Sequence, residues 1–196
     1  MNYLSLFLCL SLLYGCSTTI HDTSNACDIL YQSPTWYRYH KHFAVRSGVE
    51  ISTVMAFIAK ESAFEQHARP VKSWLIPKLI VWEYASSSYG YSQATEGTWQ
   101  NFLRANPYAN YTREDYPSSV AFISWYLHHH AQSVTKDDIY TQYLKYHDGP
   151  RMKLHKVNAS TKAYAMQVQH QARVYARQLA SCTRSLDWYA DWQPLS

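Results

Sequence analysis

Glu61 is the residue whose type and spacing most favour acid–base chemistry. The segment 50–63 carries apolar residues at helical spacing, among them Val54 and Ile58, and Glu61 continues the same stripe. A carboxyl at the inner end of a buried stripe loses hydration, which disfavours its charged form and raises its pKa. A carboxylic acid that stays protonated near neutral pH can donate a proton to a leaving oxygen, such as a glycosidic oxygen. The competing interpretation is a solvated or capping glutamate at a helix end.

Short polar fragments follow Glu61 along the chain. They read Glu61-Ser62, then Tyr89-Gly90-Tyr91-Ser92-Gln93 with Thr98-Trp99, then Tyr146-His147-Asp148-Gly149-Pro150. Their order resembles the Glu-Ser, Gly-x-x-Gln and Tyr-Asn-Ala-Gly-Pro signature of lytic transglycosylases with a soluble-type (SLT) domain. Residues 50–64 resemble the catalytic helix of that family, and residues 27–36 are similar to its lipoprotein branch. The resemblance covers about residues 27–182.

The resemblance implies a mostly α, lysozyme-like fold and cleavage of the bond between N-acetylmuramic acid and N-acetylglucosamine in peptidoglycan. Glu61 matches the catalytic glutamate of the family. It would protonate the leaving oxygen and then, as a carboxylate, accept the proton of the muramyl C6 hydroxyl. That hydroxyl closes onto C1 and gives a 1,6-anhydro product. We expect neither a cofactor nor a metal ion in this chemistry.

The resemblance also implies which residues bind the sugar chain. Ser62 matches a serine that orients a bound sugar, and Gly90 matches a glycine that lets the backbone approach the groove. Gln93 matches the glutamine beside the catalytic acid, and Tyr146 matches a tyrosine whose hydroxyl reaches the catalytic carboxyl or the sugar. The predicted substrate-binding residues are Ser62, Gly90, Tyr91, Gln93, Tyr146 and His147.

Two positions depart from the family pattern. Tyr91-Ser92 stands where Leu-Met is usual, which predicts a more polar wall, and His147-Asp148 replaces Asn-Ala. An imidazole can donate a hydrogen bond as an asparagine amide does. His147 is therefore also a candidate for a second titrating group near Glu61.

Two alternatives keep the groove but change its function. A hydrolytic muramidase would use water as the nucleophile and needs a second carboxylate. The candidates for that carboxylate are Glu83, Glu96 and Asp148, while Glu65, one turn beyond Glu61 on the expected helix, is a candidate helper carboxylate. A non-catalytic lipoprotein would bind peptidoglycan without cutting it, and the departures from the family pattern keep this interpretation open.

The three consecutive histidines His128, His129 and His130 resemble a metal site only at first sight. Consecutive side chains on a helix point about 100° apart and cannot converge on one ion. His40-Lys41-His42 has the same weakness. We therefore predict no metal site.

The amino terminus has the pattern of a targeting segment. The apolar run 3–14 is shorter than the roughly 20 residues that a membrane-spanning helix needs, and it is typical of a secretory signal. Leu13-Tyr14-Gly15-Cys16 resembles the lipobox of bacterial lipoproteins, and Ser17 favours sorting to the outer membrane. These features predict a signal peptide over 1–15 and a lipidated Cys16 with a tether over 16–26, which would anchor the domain at the periplasmic face of the membrane. The alternative is an ordinary cleaved signal peptide.

Cysteine usage fits export. Cys9 leaves with the signal and Cys16 carries the lipid, which leaves Cys27 and Cys182 for an intramolecular disulfide in an oxidising compartment. An apolar stripe that begins at Tyr164 would place Cys182 on the buried face of the last helix. A two-cysteine metal site is the rival, but no Cys-x-x-Cys or Cys-His spacing supports it.

Composition and patterning bound the architecture. The chain has 196 residues, of which 47% are hydrophobic and 16% charged, so it is neither disordered nor long enough for several domains. Helices are predicted over 34–46, 50–63, 95–105, 115–133, 137–146 and 159–183, with a short hairpin or apolar flap around 74–82. The catalytic domain is expected over 27–185, followed by a tail over 186–196. The net charge of +4 is scattered, so for an exported protein we predict peptidoglycan rather than nucleic acid as the partner.

Overall fold

The computed structural model describes residues 22–76, 80–131, 134–135 and 137–192. Within these residues the chain forms seven α-helices, one short 3-10 helix and a two-stranded sheet, which confirms the predicted mostly α fold. The helices are α1 (Ala26–Gln32), α2 (Pro34–Ser47), α3 (Ile51–Ser62), α4 (Glu96–Ala105), α5 (Tyr116–His130), α6 (Ile139–Asp148) and α7 (Ala159–Trp192), with the 3-10 turn at Leu154–Lys156. The strands are β1 (Val71–Ile76) and β2 (Ile80–Tyr84).

Helix α3 runs through the core and contacts α2, α5 and α7. Its middle residues from Val54 to Ile58 are at most 1% exposed. The sequence predicts one apolar face, but Ser52 and Thr53 are buried as well, so this helix is enclosed on all sides through its middle. Glu61 lies in the last turn, where the helix leaves the core.

The predicted hairpin is present and is longer than the sequence indicated. β1 and β2 pair antiparallel, with Val71 opposite Tyr84 and Ile76 opposite Ile80, and the register shifts along the ladder. Lys72 and Glu83 form an ion pair of 2.9 Å across the two strands. The hairpin is the next element after α3 along the chain, and residues 63–70 connect the two.

The last helix is longer than predicted. Leu186 and Ala190 are 1% and 3% exposed, because α7 continues to Trp192 and packs beyond residue 183. The predicted start of its apolar stripe is wrong, since Tyr164 is 40% exposed whereas Ala165 is fully buried. Residues 193–196 of the expected tail lie outside the described residues.

A disulfide joins Cys27 of α1 to Cys182 of α7. Both cysteines are 7% exposed, so the disulfide is part of the core. Within the described ranges, no helix is long and apolar enough to cross a membrane. The predicted signal peptide, Cys16 and the first part of the tether precede residue 22 and lie outside the described residues.

Candidate active site

A cleft of about 650 Å³ opens beside the end of α3. Its walls come from the last turn of α3, the segment 86–101, the inner face of α5 and the end of α6. The lining residues with polar or aromatic side chains include Glu61, Gln93, Thr98, Asn101, Tyr126, His130, Tyr146, His147 and Asp148. Four of the predicted site residues, Glu61, Gln93, Tyr146 and His147, therefore meet in one cleft.

Glu61 has the electrostatic character of an acid. Its Oε1 atom is buried and has no hydrogen-bond partner among the described residues. Burial raises the pKa of Glu61 to about 7. A hydrogen bond with Tyr143 and the positive charges of His147 and Lys60 oppose that rise. The carboxyl is therefore poised to hold a proton near neutral pH and to release it.

Two tyrosines of α6 border Glu61. Tyr143 and Tyr146 are three residues apart on one helix face, and their ring centroids lie 5.3 and 5.2 Å from that of Phe57 in α3. Burial and the Glu61 charge raise the pKa of both hydroxyls far above neutrality, so both remain protonated donors. The hydroxyl of Tyr146 donates to the Ser92 carbonyl oxygen at 2.5 Å. Tyr143 was not among the predicted site residues, because its approach to Glu61 depends on how α6 packs against α3.

Gly90 and Gln93 shape the loop that forms one wall. A Cβ atom at Gly90, where φ is +72°, would lie 1.9 Å from the Arg113 carbonyl oxygen. The glycine therefore permits a close approach between two backbone segments, and Gly90 itself is not among the residues that line the cleft. The Nε2 of Gln93 donates to the carbonyl oxygens of Ala68 at 2.8 Å and Gly90 at 2.9 Å. Gln93 thus holds the loop in place, and its Oε1 is the group left for a ligand.

Ser62 and Tyr91 do not line the cleft. The hydroxyl of Ser62 donates to the Ile58 carbonyl oxygen one turn back at 3.1 Å. Tyr91 is 2% exposed, and its ring makes edge contacts with Trp36 and Tyr116. The predicted more polar wall is wrong, because both Tyr91 and its neighbour Ser92 are buried in the core.

The candidates for a second carboxylate differ in whether they line the cleft. Among these three and the helper candidate Glu65, Asp148 alone lines the described cleft, and its Oδ1 lies 2.7 Å from the Nδ1 of His147. Glu83 pairs with Lys72, and Glu96 pairs with Arg113 at 2.8 Å.

The three consecutive histidines diverge, as helix geometry requires. The Nδ1 of His128 contacts the Ser47 carbonyl oxygen at 3.0 Å, and that of His129 contacts the Trp125 carbonyl oxygen at 2.8 Å. His130 faces the cleft instead. The described part of the chain has no group of three or more side chains that could hold a metal ion.

A family model described as "Transglycosylase SLT domain" matches residues 4–182. No curated protein and no solved structure matches the chain significantly. The match spans every element from α1 to most of α7, and it includes all the residues that line the cleft.

Proposed function

Because the chain belongs to the transglycosylase SLT domain family, we propose that it is a lytic transglycosylase in which Glu61 is both the general acid and the general base. Family membership assigns it to enzymes that act on peptidoglycan outside the cytoplasm. The bond we propose lies between N-acetylmuramic acid and N-acetylglucosamine, with a 1,6-anhydromuramyl product. The observation that carries this proposal is the Glu61 carboxyl in the cleft, with its buried and unpartnered Oε1.

The proposed reaction moves one proton out of Glu61 and one proton back. The protonated carboxyl donates to the glycosidic oxygen as the bond from that oxygen to muramyl C1 breaks. The carboxylate then takes the proton of the muramyl C6 hydroxyl, and the C6 oxygen forms a bond to C1. Glu61 ends protonated, no water is consumed, and a second carboxylate is unnecessary.

Tyr143 supports both halves of this cycle. Its hydrogen bond with the Glu61 carboxyl favours the charged form, so it stabilises the carboxylate that exists between the two proton transfers. His147 acts in the same direction whenever it is protonated. Burial raises the pKa, against the effects of Tyr143 and His147, and the net pKa of Glu61 is about 7. A group with a pKa near the working pH can donate a proton in one step and accept one in the next.

A hydrolytic muramidase is the second candidate, and Asp148 is the observation that favours it. Asp148 lines the same cleft as Glu61 and could position water. Its contact with the imidazole of His147 argues for a structural use of that carboxylate, since one of its oxygens is already engaged.

The test uses residues 17–196 and purified peptidoglycan sacculi. We expect the wild-type chain to release fragments with anhydromuramyl ends, which are lighter by one water than reducing ends. Glu61→Gln should release none, while Glu65→Gln, which changes an exposed carboxylate just beyond the end of α3, should behave as wild type. Mass spectrometry of the released muropeptides distinguishes the outcomes. Reducing ends would indicate a hydrolase, and intact sacculi with bound protein would indicate a binding protein.

We also propose that the chain is exported as a lipoprotein. The signal peptide would cover 1–15, Cys16 would carry the lipid, and residues up to 26 would link it to a catalytic domain over 27–185. Labelling of whole cells with a radioactive or clickable fatty acid tests this directly. Label in the wild-type chain that is lost in Cys16→Ser is the expected result.

A further inference from the structure

A second pocket adjoins the cleft where α6 ends. It has a volume of about 430 Å³ and is lined by Asp148, Arg151, Met152, Lys153, Lys156 and Val157. Asp148 belongs to the walls of both cavities, so a ligand that branches from the cleft at this point can enter the pocket. We call this cavity the basic pocket.

The charge of the basic pocket is positive and largely uncompensated. Arg151, Lys153 and Lys156 are exposed, and none of them forms an ion pair with a described carboxylate. Asp148 is the one carboxylate in the described lining, and His147 already contacts it at 2.7 Å. Three cations around one concave surface with one engaged anion favour an anionic ligand.

The backbone of the basic pocket is ordered by local hydrogen bonds. The amide of Met152 donates to the Gly149 carbonyl oxygen at 3.1 Å, and the amide of Lys156 donates to the Lys153 carbonyl oxygen at 2.8 Å. Val157 is 5% exposed and anchors the end of the segment in the core. The cations therefore project from a fixed turn rather than from a loose loop.

We propose that the basic pocket binds carboxylates of the peptide stems that branch from the muramyl residues of peptidoglycan, an inference that rests on the proposed function. The N-acetylated sugars of the strand are uncharged, so the negative charge next to a bound strand lies on its peptides. Arg151 can hold a carboxylate through two parallel hydrogen bonds, and the two lysines add charge. An anionic membrane surface fits less well, because the pocket is concave and has fewer cations than the four to eight typical of lipid-binding basic segments.

The binding test compares two ligands in chains that carry Glu61→Gln, so that turnover does not intervene. The ligands are soluble glycan strands with their peptide stems and the same strands after amidase removal of the stems and amidation of the lactyl carboxylates that this cleavage frees. The variant R151Q/K153Q/K156Q should bind stem-bearing strands about tenfold more weakly and stem-free strands within about twofold of the parent. The control variant R173Q/R177Q/R184Q removes the same charge from exposed positions of α7 and should change neither affinity.

Three results would overturn the proposal. The first is an equal loss of affinity for both ligands in R151Q/K153Q/K156Q, and the second is no loss of affinity for either. The third is a loss of affinity of the same size in the α7 control variant. A separate measurement uses the full chain with vesicles of phosphatidylcholine, with and without phosphatidylglycerol. A preference for the anionic vesicles that only R151Q/K153Q/K156Q abolishes, together with unchanged strand binding, would assign the pocket to lipid instead. The proposed function is tested separately by turnover of the chain with intact Glu61, so failure of one does not imply failure of the other.

Discussion

Glu61→Gln should stabilise the protein at alkaline pH while it abolishes catalysis. The pKa of Glu61 rises from its ordinary 4.5 to about 7 because the folded chain buries the carboxyl. A shift of this size corresponds to about 3 kcal/mol of folding free energy. The folded chain binds the Glu61 proton more tightly than the unfolded chain does. The contribution of Glu61 to the free energy of unfolding therefore declines as the pH rises from 4.5 to about 7, and it is constant above that pH.

Thermal unfolding at two pH values measures this directly. At pH 4 the wild-type carboxyl is mostly protonated in both states, and the variant should melt within about 2 °C of wild type, because an amide is nearly isosteric with a carboxylic acid. At pH 8 the variant should melt about 6–12 °C higher, since it avoids the cost of a buried charge. Glu65→Gln provides the control and should follow wild type at both pH values. Parallel pH dependence of wild type and Glu61→Gln would refute the burial argument.

Three further outcomes follow from the same structure. The kcat/KM for strand cleavage should fall above about pH 7 as Glu61 ionises. Tyr143→Phe should move this fall to higher pH, because the hydrogen bond that the variant lacks favours the Glu61 carboxylate. An unchanged pH profile would show that Tyr143 does not affect the pKa of Glu61. Gly90→Ala should lower the melting temperature and the activity together, since its Cβ would collide with the Arg113 carbonyl oxygen; circular dichroism and turnover check both. Cys182→Ser should lower the free energy of unfolding by at most about 4–5 kcal/mol in denaturant titrations of the oxidised chain. Equal midpoints for wild type and variant would mean that no crosslink forms.

The sequence predicted the helices well where a regular apolar pattern met a clear end. α3 and α4 were placed to within one residue at each end, because periodic residues coincide with their ends. α7 was predicted nine residues too short, since Leu186 and Ala190 continue its buried face through a segment rich in polar residues. α1 was not predicted at all, because seven residues are too few to show a period.

The sequence predicted a site residue correctly only where its position in a motif also determines which way its side chain points. Glu61 and Gln93 were found because their motif positions correspond to places in the cleft. Tyr91 lies in the same motif but points into the core, which no one-dimensional pattern reveals. Tyr143 depends on how α6 packs against α3, and that tertiary contact has no counterpart in local sequence.

The fastening of the amino-terminal residues to α7 has a mechanical consequence. Beside the disulfide, the Ala26 amide donates to Gln178 at 3.0 Å and the Tyr175 hydroxyl donates to the Thr23 carbonyl oxygen at 2.6 Å. Tension that pulls on the chain ahead of residue 23 passes across these bonds into the middle of α7. The covalent link carries the load past the 155 positions that separate the two cysteines. Tension applied between the amino-terminal residues and the part of α7 beyond Cys182 therefore follows the crosslink rather than the polypeptide that builds the cleft.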